Sequence, residues 1–206
     1  LVTGSMFEAE SCRAQTLSSL APFLTESLLG EALSIAQAID LDFYRAESLC
    51  GLAPFLPEGL LGKALAMARE IQDVDSRAQA LCGLVPHLPE GLRSEVLLEA
   101  QEFQDQAPRA QVLSSLAAYL PETLLGEALV SVREISSEVV QTQALSSLAP
   151  HLPDYMLGEA LAVALVVERA QGYLDVAALV CQELAELAQG AAAHVGPLGA
   201  GALGLD

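Results

Sequence analysis

A seven-residue pattern returns along this chain at a constant step of 32 residues, and this step limits the fold more than any other feature. The pattern, Ser-Ser-Leu-Ala-Pro-Phe-Leu in its first copy, begins at Ser18, Cys50, Cys82, Ser114 and Ser146. A second block of the type Leu-Leu-Gly-Glu-Ala-Leu follows each copy and begins at Leu28, Leu60, Leu92, Leu124 and Met156. No insertion breaks the register. The sequence therefore predicts one supersecondary unit repeated five times.

Each unit reads as two helices, because its apolar residues recur at spacings of three and four. In the first copy, helix A is predicted at residues 10–20 and helix B at residues 25–39. One proline ends or kinks helix A, and a second proline in later copies begins helix B. The predicted fold is all-α: a right-handed αα-hairpin solenoid of five 32-residue repeats, at about residues 10–41, 42–73, 74–105, 106–137 and 138–169.

The two ends of the chain differ from the repeats. Residues 1–5 precede Met6 and are interpreted as a cloning remnant, so the solenoid is assigned to residues 6–189. Helix B of the last repeat lacks a polar face, which makes Val163, Leu165 and Val166 a candidate interface. A capping helix is predicted at residues 172–189. Residues 190–206 are rich in glycine and alanine and are predicted to form a flexible tail.

Small residues recur at two positions where another helix is expected to cross closely. Helix B carries Gly30, Gly62, Gly126 and Gly158, and glycine in a helix costs about 1 kcal/mol relative to alanine. Helix A carries the small strip Ser19, Gly51, Gly83, Ser115 and Ser147. Cys50 and Cys82 share one repeat position with serines, so they are interpreted as small packing residues with free thiols, which fits a reducing cytoplasm.

The charge of the chain excludes several partner classes. Its net charge is -18 and only 9 residues are basic, whereas nucleic-acid and anionic-membrane surfaces require clustered Lys and Arg. No segment has the length and composition of a transmembrane helix or a signal peptide. We therefore expect a cytoplasmic protein that binds neither nucleic acid nor membrane.

No pattern of residues indicates catalysis, a metal site or a cofactor, so the chain is predicted not to be an enzyme. His87 and His151 align with Phe23, Phe55 and Tyr119, and they are interpreted as filling a slot for a flat ring at the turn. The 27 acidic residues are interpreted as solvated. A diffuse acidic active site is the weakest alternative.

One polar column is the main candidate binding site. Arg13, Arg45, Arg77 and Arg109 are 32 residues apart, with Gln141 in the fifth copy, and they are followed two residues later by Gln15, Glu47, Gln79 and Gln111. A stripe of guanidinium groups suits an acidic peptide or a phosphate. The structural alternative is favoured: the arginines pair with acids such as Glu70 and Glu102, or with the unpaired carbonyls at the end of the preceding helix B.

The motif Leu-Ala-Pro-His-Leu-Pro-Glu-x-Leu-Leu-x-Glu-Ala-Leu, seen best at residues 148–161 and 84–97, resembles repeats of large bacterial signalling proteins. The unit is also similar in size to tetratricopeptide repeats, although it lacks their Trp and Tyr signature. In the bacterial proteins, such arrays accompany NACHT or NB-ARC switch domains, or caspase-like or TIR effectors. The resemblance implies a sensor or autoinhibitory array.

Two function classes remain open from the sequence. The first is a non-catalytic module that binds a protein or peptide, including another domain of the same polypeptide. The second is a scaffold that self-associates through the apolar last repeat and its cap. The sequence does not decide the oligomeric state.

Overall fold

A computed structural model describes the backbone of residues 2–171 and the side chains of residues 7–164, and this part of the chain is all-α, without a strand. Its helices are α1 (Val2–Leu20), α2 (Glu26–Gln37), α3 (Asp42–Leu52), α4 (Glu58–Arg69), α5 (Val74–Leu84), α6 (Glu90–Glu102), α7 (Gln106–Leu116), α8 (Glu122–Arg133), α9 (Glu138–Leu148) and α10 (Asp154–Gln171). The predicted cap and tail lie outside the described residues. None of the described helices is long and apolar enough to cross a membrane.

Proline sets the boundary within each hairpin, as predicted. Helices α1, α3, α5 and α9 each end at a leucine and continue into a three-residue 3₁₀ turn that contains the first proline. Proline cannot donate a backbone hydrogen bond, so the α-helix stops there. Ala118 replaces this proline after α7, where the amides of Tyr119 and Leu120 both donate to the carbonyl of Leu116, at 2.8 and 3.1 Å.

The second proline precedes the even-numbered helices in an extended conformation. Pro57, Pro89 and Pro121 occupy the N-cap position, and an acid follows as the first helical residue. An acid there interacts favourably with the positive end of the helix dipole. The first helix begins at Val2, earlier than predicted from the repeat, and helix α2 begins one residue after the predicted Thr25.

The leucine faces are buried between hairpins that follow one another in the chain. Helix α3 packs against α1 and α5, and α7 packs against α5 and α9. Helix α2 also meets α4, and α8 meets α6 and α10. Leu49, Leu81 and Leu113 share one repeat position and are fully buried. Burial of each such leucine contributes about 1.5–3 kcal/mol, so packing between neighbouring hairpins is the main source of stability.

The small strip on the odd-numbered helices marks a close approach, as predicted. A Cβ atom added to Gly51 would lie 3.1 Å from the Cα of Ser18 and would overlap the serine side chain. A Cβ added to Gly83 would meet Cys50 in the same way, 3.1 Å from its Cα. The neighbouring atoms include backbone, which cannot move aside. Only a residue without a side chain fits at these two crossings.

The same prediction is wrong for the glycines of the even-numbered helices. An added Cβ at Gly30, Gly62 or Gly158 would meet nothing within 4 Å, and at Gly126 it would meet only the terminal methyl of Met156, at 3.6 Å. Among the described residues, no helix crosses closely at these positions. The structure gives no packing reason for the glycines, because a periodic small residue does not by itself distinguish a close crossing from open space.

Helix starts at the connections between hairpins are capped partly by the neighbouring hairpin. At the start of α5, the side chain of Asp73 accepts from the amide of Ser76 at 2.8 Å, whereas Asp105 and Ser137 accept no such bond at the starts of α7 and α9. The amide of Ser137 instead donates to Oε1 of Gln106, at 2.6 Å. Side chains of one hairpin thus bind the loop of the next.

The two glycine environments give a direct test of the packing. Gly83→Ala forces an overlap with Cys50 and is expected to lower the free energy of unfolding by about 1–3 kcal/mol. Gly62→Ala, at an open helical site, is expected to raise it by about 0.5–1 kcal/mol. Urea denaturation followed by circular dichroism measures both. Equal effects of the two substitutions would contradict the close approach of α3 and α5.

Candidate binding surface

The arginine ladder (Arg13, Arg45, Arg77 and Arg109) lies in odd-numbered helices, and its last three members each come shortly after the end of an even-numbered helix. Arg45 donates from Nε and Nη2 to the carbonyl of Ile39, at 3.0 and 2.7 Å. Arg109 donates twice to the carbonyl of Phe103, at 3.1 and 2.8 Å, and once to that of Gln101, at 3.0 Å. Both guanidinium groups therefore satisfy carbonyls at a helix end.

Two other members of this position, Arg77 and Gln141, also donate to backbone carbonyls. Arg77 donates to the carbonyl of Ile71 at 3.2 Å, and its guanidinium lies 5.1 Å from the centre of the Phe103 ring. Gln141 replaces the arginine in the last hairpin and donates to the carbonyls of Val132 and Arg133, at 3.0 and 3.2 Å. An amide can replace the guanidinium because the acceptors are neutral carbonyls, not acids.

The acids that contact the ladder are not those expected. Arg45 pairs with Asp42 of its own helix at 3.4 Å, and Arg109 pairs with Glu134 of the next hairpin at 3.6 Å. Arg13 is the most open member, with 42% of its side chain exposed, and pairs with Glu10 at 2.9 Å. Within the described residues, the second carboxylate oxygen of Glu10 is buried without a hydrogen-bond partner.

The column beside the ladder is more accessible. Gln15 and Gln111 are exposed, and Glu47 and Gln79 are half-buried. The backbone carbonyls of Gln79 and Gln111 accept from the thiols of Cys50 and Cys82, at 3.4 and 3.6 Å. These backbone positions thus join neighbouring odd-numbered helices.

A cleft of about 540 Å³ opens between α4, α5 and α6, and no sequence pattern indicated it. It is lined by Arg69, Arg77, Glu95, Leu98, Glu99, Glu102 and Phe103. Arg69 donates to Glu95 and Glu99, at 3.0 Å each. A similar pair, Arg133 with Glu159 at 3.2 Å, joins α8 to α10. Polar groups in the cleft thus already bind one another across the even-numbered helices.

Five side chains form what we call the turn edge, one at the end of each 3₁₀ turn or its equivalent: Phe23, Phe55, His87, Tyr119 and His151. The sequence predicted a slot for a flat ring at this position. All five side chains are exposed, and the exposed fraction is 82% for Phe23 and 40% for Phe55. The rings therefore contribute little to the core. Their periodic recurrence at the turn was the sequence signal that could have identified this surface.

One arginine already occupies this edge. Arg93 of α6 stands where other copies carry a leucine. Its guanidinium lies 5.3 Å from the centre of the Tyr119 ring, and its Nη1 donates to the carbonyl of Tyr119 at 3.1 Å. Its Nε donates to the carbonyl of Val85 at 3.4 Å. Arg93 therefore binds two successive turns and uses the ring of the second.

The candidate interface of the last repeat is only partly described. Val163 is 7% exposed and is therefore buried within the chain, next to a cleft of about 310 Å³ that Arg133, Gln141, Glu159 and Ala162 also line. The side chains of Leu165 and Val166 lie outside the described residues. Within the described part of the chain, no group of three or more His, Cys, Asp or Glu side chains is arranged to hold a metal ion.

Cys50 and Cys82 are half-buried and are expected to be unreactive. Burial, with a smaller contribution from the nearby Cys82, raises the pKa of Cys50 to about 11. Burial also raises the pKa of Cys82. Cys12, by contrast, is exposed. Because the thiolate is the reactive form, the geometry does not favour nucleophilic use of Cys50 or Cys82.

The role of the ladder can be tested on stability. Arg109→Ala leaves the carbonyls of Phe103 and Gln101 without their charged donor and is expected to destabilise the fold by about 1.5–3 kcal/mol. Arg133→Ala removes an exposed ion pair with Glu159 and is expected to cost less than about 1 kcal/mol. Urea denaturation of the two variants checks the difference. An Arg109→Ala protein as stable as the wild type would argue that the ladder is free for a ligand.

The thiols can be compared by alkylation. With iodoacetamide at pH 8, Cys12 of the folded protein is expected to react before Cys50 and Cys82. A pKa near 11 keeps the Cys50 thiol protonated, so its alkylation should be on the order of 100-fold slower in the folded protein than in urea. Peptide mass spectrometry follows each cysteine separately. Equal rates for Cys50 in buffer and in urea would contradict its burial.

Comparisons with known proteins give no match: no protein-family model, no curated protein and no solved structure matches this chain. The resemblance to bacterial signalling arrays therefore depends on the repeat motif alone and stays a prediction. The side chains that the hairpins expose are therefore the remaining indication of function.

Proposed function

We propose that this chain is a non-catalytic binding module for a protein or peptide. In this proposal the five 32-residue repeats form a right-handed αα-hairpin solenoid, closed by a helix at residues 172–189. The module acts in the cytoplasm as a sensor or autoinhibitory array of a larger bacterial signalling or defence protein. The sequential packing of neighbouring hairpins supports the stacked arrangement, since it is the contact pattern that a solenoid requires.

The single observation that carries the proposal is the exposure of the turn edge. In the proposed solenoid, rings at one repeat position lie on the same side of successive hairpins, and all five are exposed. Exposed aromatic side chains are enriched where proteins bind one another. A row of them offers a peptide several equivalent contacts.

The arginine ladder is a weaker site for the same function. An acidic peptide there would have to displace the bonds from Arg45, Arg77 and Arg109 to backbone carbonyls. Those carbonyls would then lose their charged donors, which costs free energy. The exposed Gln15 and Gln111, with Glu47 and Gln79, remain available as flanking contacts.

The alternative function, self-association through the last repeat, has less support from the geometry. Val163 is buried within the chain, so it offers little apolar surface to a second copy. The proposal therefore places the binding surface on the turn edge.

Selection from a random peptide display library tests this function without assuming a ligand. Peptides selected on the wild-type protein are expected to lose about tenfold in affinity for the double variant F23A/F55A, since aromatic side chains dominate such interfaces. The matched control is F7A/F43A, which removes two exposed phenylalanines away from the turn edge. Fluorescence anisotropy measures both affinities.

Two results would contradict the proposal: no enrichment of any peptide, or selected peptides that bind both double variants equally. Circular dichroism of each variant checks folding, and the high exposure of Phe23 makes its replacement compatible with the core.

A further inference from the structure

We infer that the ligand of the turn edge is an extended polypeptide segment rich in arginine or lysine, whose cations stack on the exposed rings and pair with the acids that begin the even-numbered helices. This inference rests on the proposed function and names the chemistry of the partner. It depends on three features of the same edge: the rings, the neighbouring acids and an internal arginine that already binds there.

The rings and the acids occur together in every copy. Three residues after each ring comes the first residue of an even-numbered helix, and it is always an acid. The five acids are exposed: Glu26, Glu58, Glu90, Glu122 and Asp154. A ring face attracts a cation through its quadrupole, and a nearby carboxylate attracts it by charge. The pair therefore selects a cation over an acid or an apolar side chain.

The copies differ in whether the acid already accepts a hydrogen bond from another side chain of the protein. Glu122 accepts a hydrogen bond from the hydroxyl of Tyr155 at 2.9 Å, so it is partly occupied. In the first three copies no side-chain hydrogen bond engages Glu26, Glu58 or Glu90 within the described residues. These three acids and their rings form the open part of the edge.

Arg93 provides an internal example of the interaction. It is a guanidinium seated 5.3 Å from the centre of a turn-edge ring, Tyr119, with a hydrogen bond to the carbonyl of the same residue. The edge thus binds a guanidinium when the chain itself supplies one. The other copies have a leucine at this repeat position, so there the cation must come from a partner.

Overall charge favours the same partner. The net charge of -18 attracts cationic segments and repels acidic ones over a distance of about a Debye length. Charge alone does not choose the turn edge, because acids such as Asp40, Asp75 and Asp105 are exposed elsewhere. Those acids have no ring at a repeated position beside them. The rings therefore determine where on the surface the ligand binds, and the acids determine that its charge is positive.

The repeat geometry predicts the spacing of the cations. Packed helices lie about 8–10 Å apart, so successive rings should be separated by about one such step. A peptide in the polyproline II conformation has three residues per turn and advances about 3.1 Å per residue, so every third side chain lies on one face at a step of about 9 Å and should meet a ring. A segment with one cation at every third residue should bind better than one with the same cations in a continuous run.

Two fluorescein-labelled peptides of identical composition test this. One repeats Arg-Ser-Gly four times, and the other places the four arginines together, followed by the same serines and glycines. Anisotropy titration of the wild-type protein at low salt is expected to give tighter binding for the spaced peptide by about fivefold, because it meets several rings at once. Binding should weaken as salt rises.

Two triple variants locate the site. E26Q/E58Q/E90Q should weaken binding of the spaced peptide by about tenfold, as expected for the loss of three exposed ion pairs. D40N/D75N/D105N removes the same charge from other exposed acids and should change binding by less than about twofold. The double variant F23A/F55A should also weaken binding, and F7A/F43A should not.

Several outcomes would overturn the inference. They are no measurable binding of the spaced peptide, equal binding of the two peptides, or equal weakening by the two triple variants, which would indicate attraction by net charge alone. The comparison of the two peptides uses only the wild-type protein, so it tests the inference even if a variant fails to fold. Display-selected peptides that require Phe23 and Phe55 but carry no cations would overturn this inference and leave the proposed function intact.

Discussion

The structure depends on leucine faces that only the neighbouring hairpin can cover. Helices α3 to α9 have 11 to 13 residues, a length at which an isolated helix is marginal in water. Leu49, Leu81 and Leu113 reach full burial because an odd-numbered helix lies on each side of theirs. The close approach at Gly51 and Gly83 follows from the same requirement, since a larger residue would separate the odd-numbered helices and expose the leucines.

Stacking of the hairpins also leaves backbone carbonyls that need hydrogen-bond donors at the same point of successive repeats. The even-numbered helices from α2 to α8 each end against the next odd-numbered helix, and their last carbonyls are removed from water there. Arg45, Arg77, Arg109 and Gln141 supply donors at this point in successive hairpins. A polar column with the period of the fold is therefore explained by the fold before any ligand is considered. The same reasoning applies to Gln106, which binds the loop of the following hairpin.

Periodicity predicted the helices, the proline turns and the leucine faces because each is fixed by local chemistry. It predicted the crossing at Gly51 and Gly83 but gave the same answer for Gly30 and Gly62, where the structure has open space. A repeated residue type shows that a role recurs, but it does not identify the partner atoms. For the ladder, the sequence left acids, carbonyls and ligand as alternatives. The exposure of the turn edge also could not be read from the sequence, since it depends on how far neighbouring turns cover one another.

Most phenylalanine side chains of this chain lie outside its core. Leucine and alanine fill the core, whereas only Phe103 among the five phenylalanines is buried, at 3% exposure; the others are Phe7, Phe23, Phe43 and Phe55. Exposed rings at single positions need no explanation, because most proteins have some. Rings that recur after the same turn, beside an acid in each copy, are different, because the leucine core does not use them. In the proposed function these rings contact a partner, and the position of Arg93 against the Tyr119 ring indicates that such a contact would involve a cationic group.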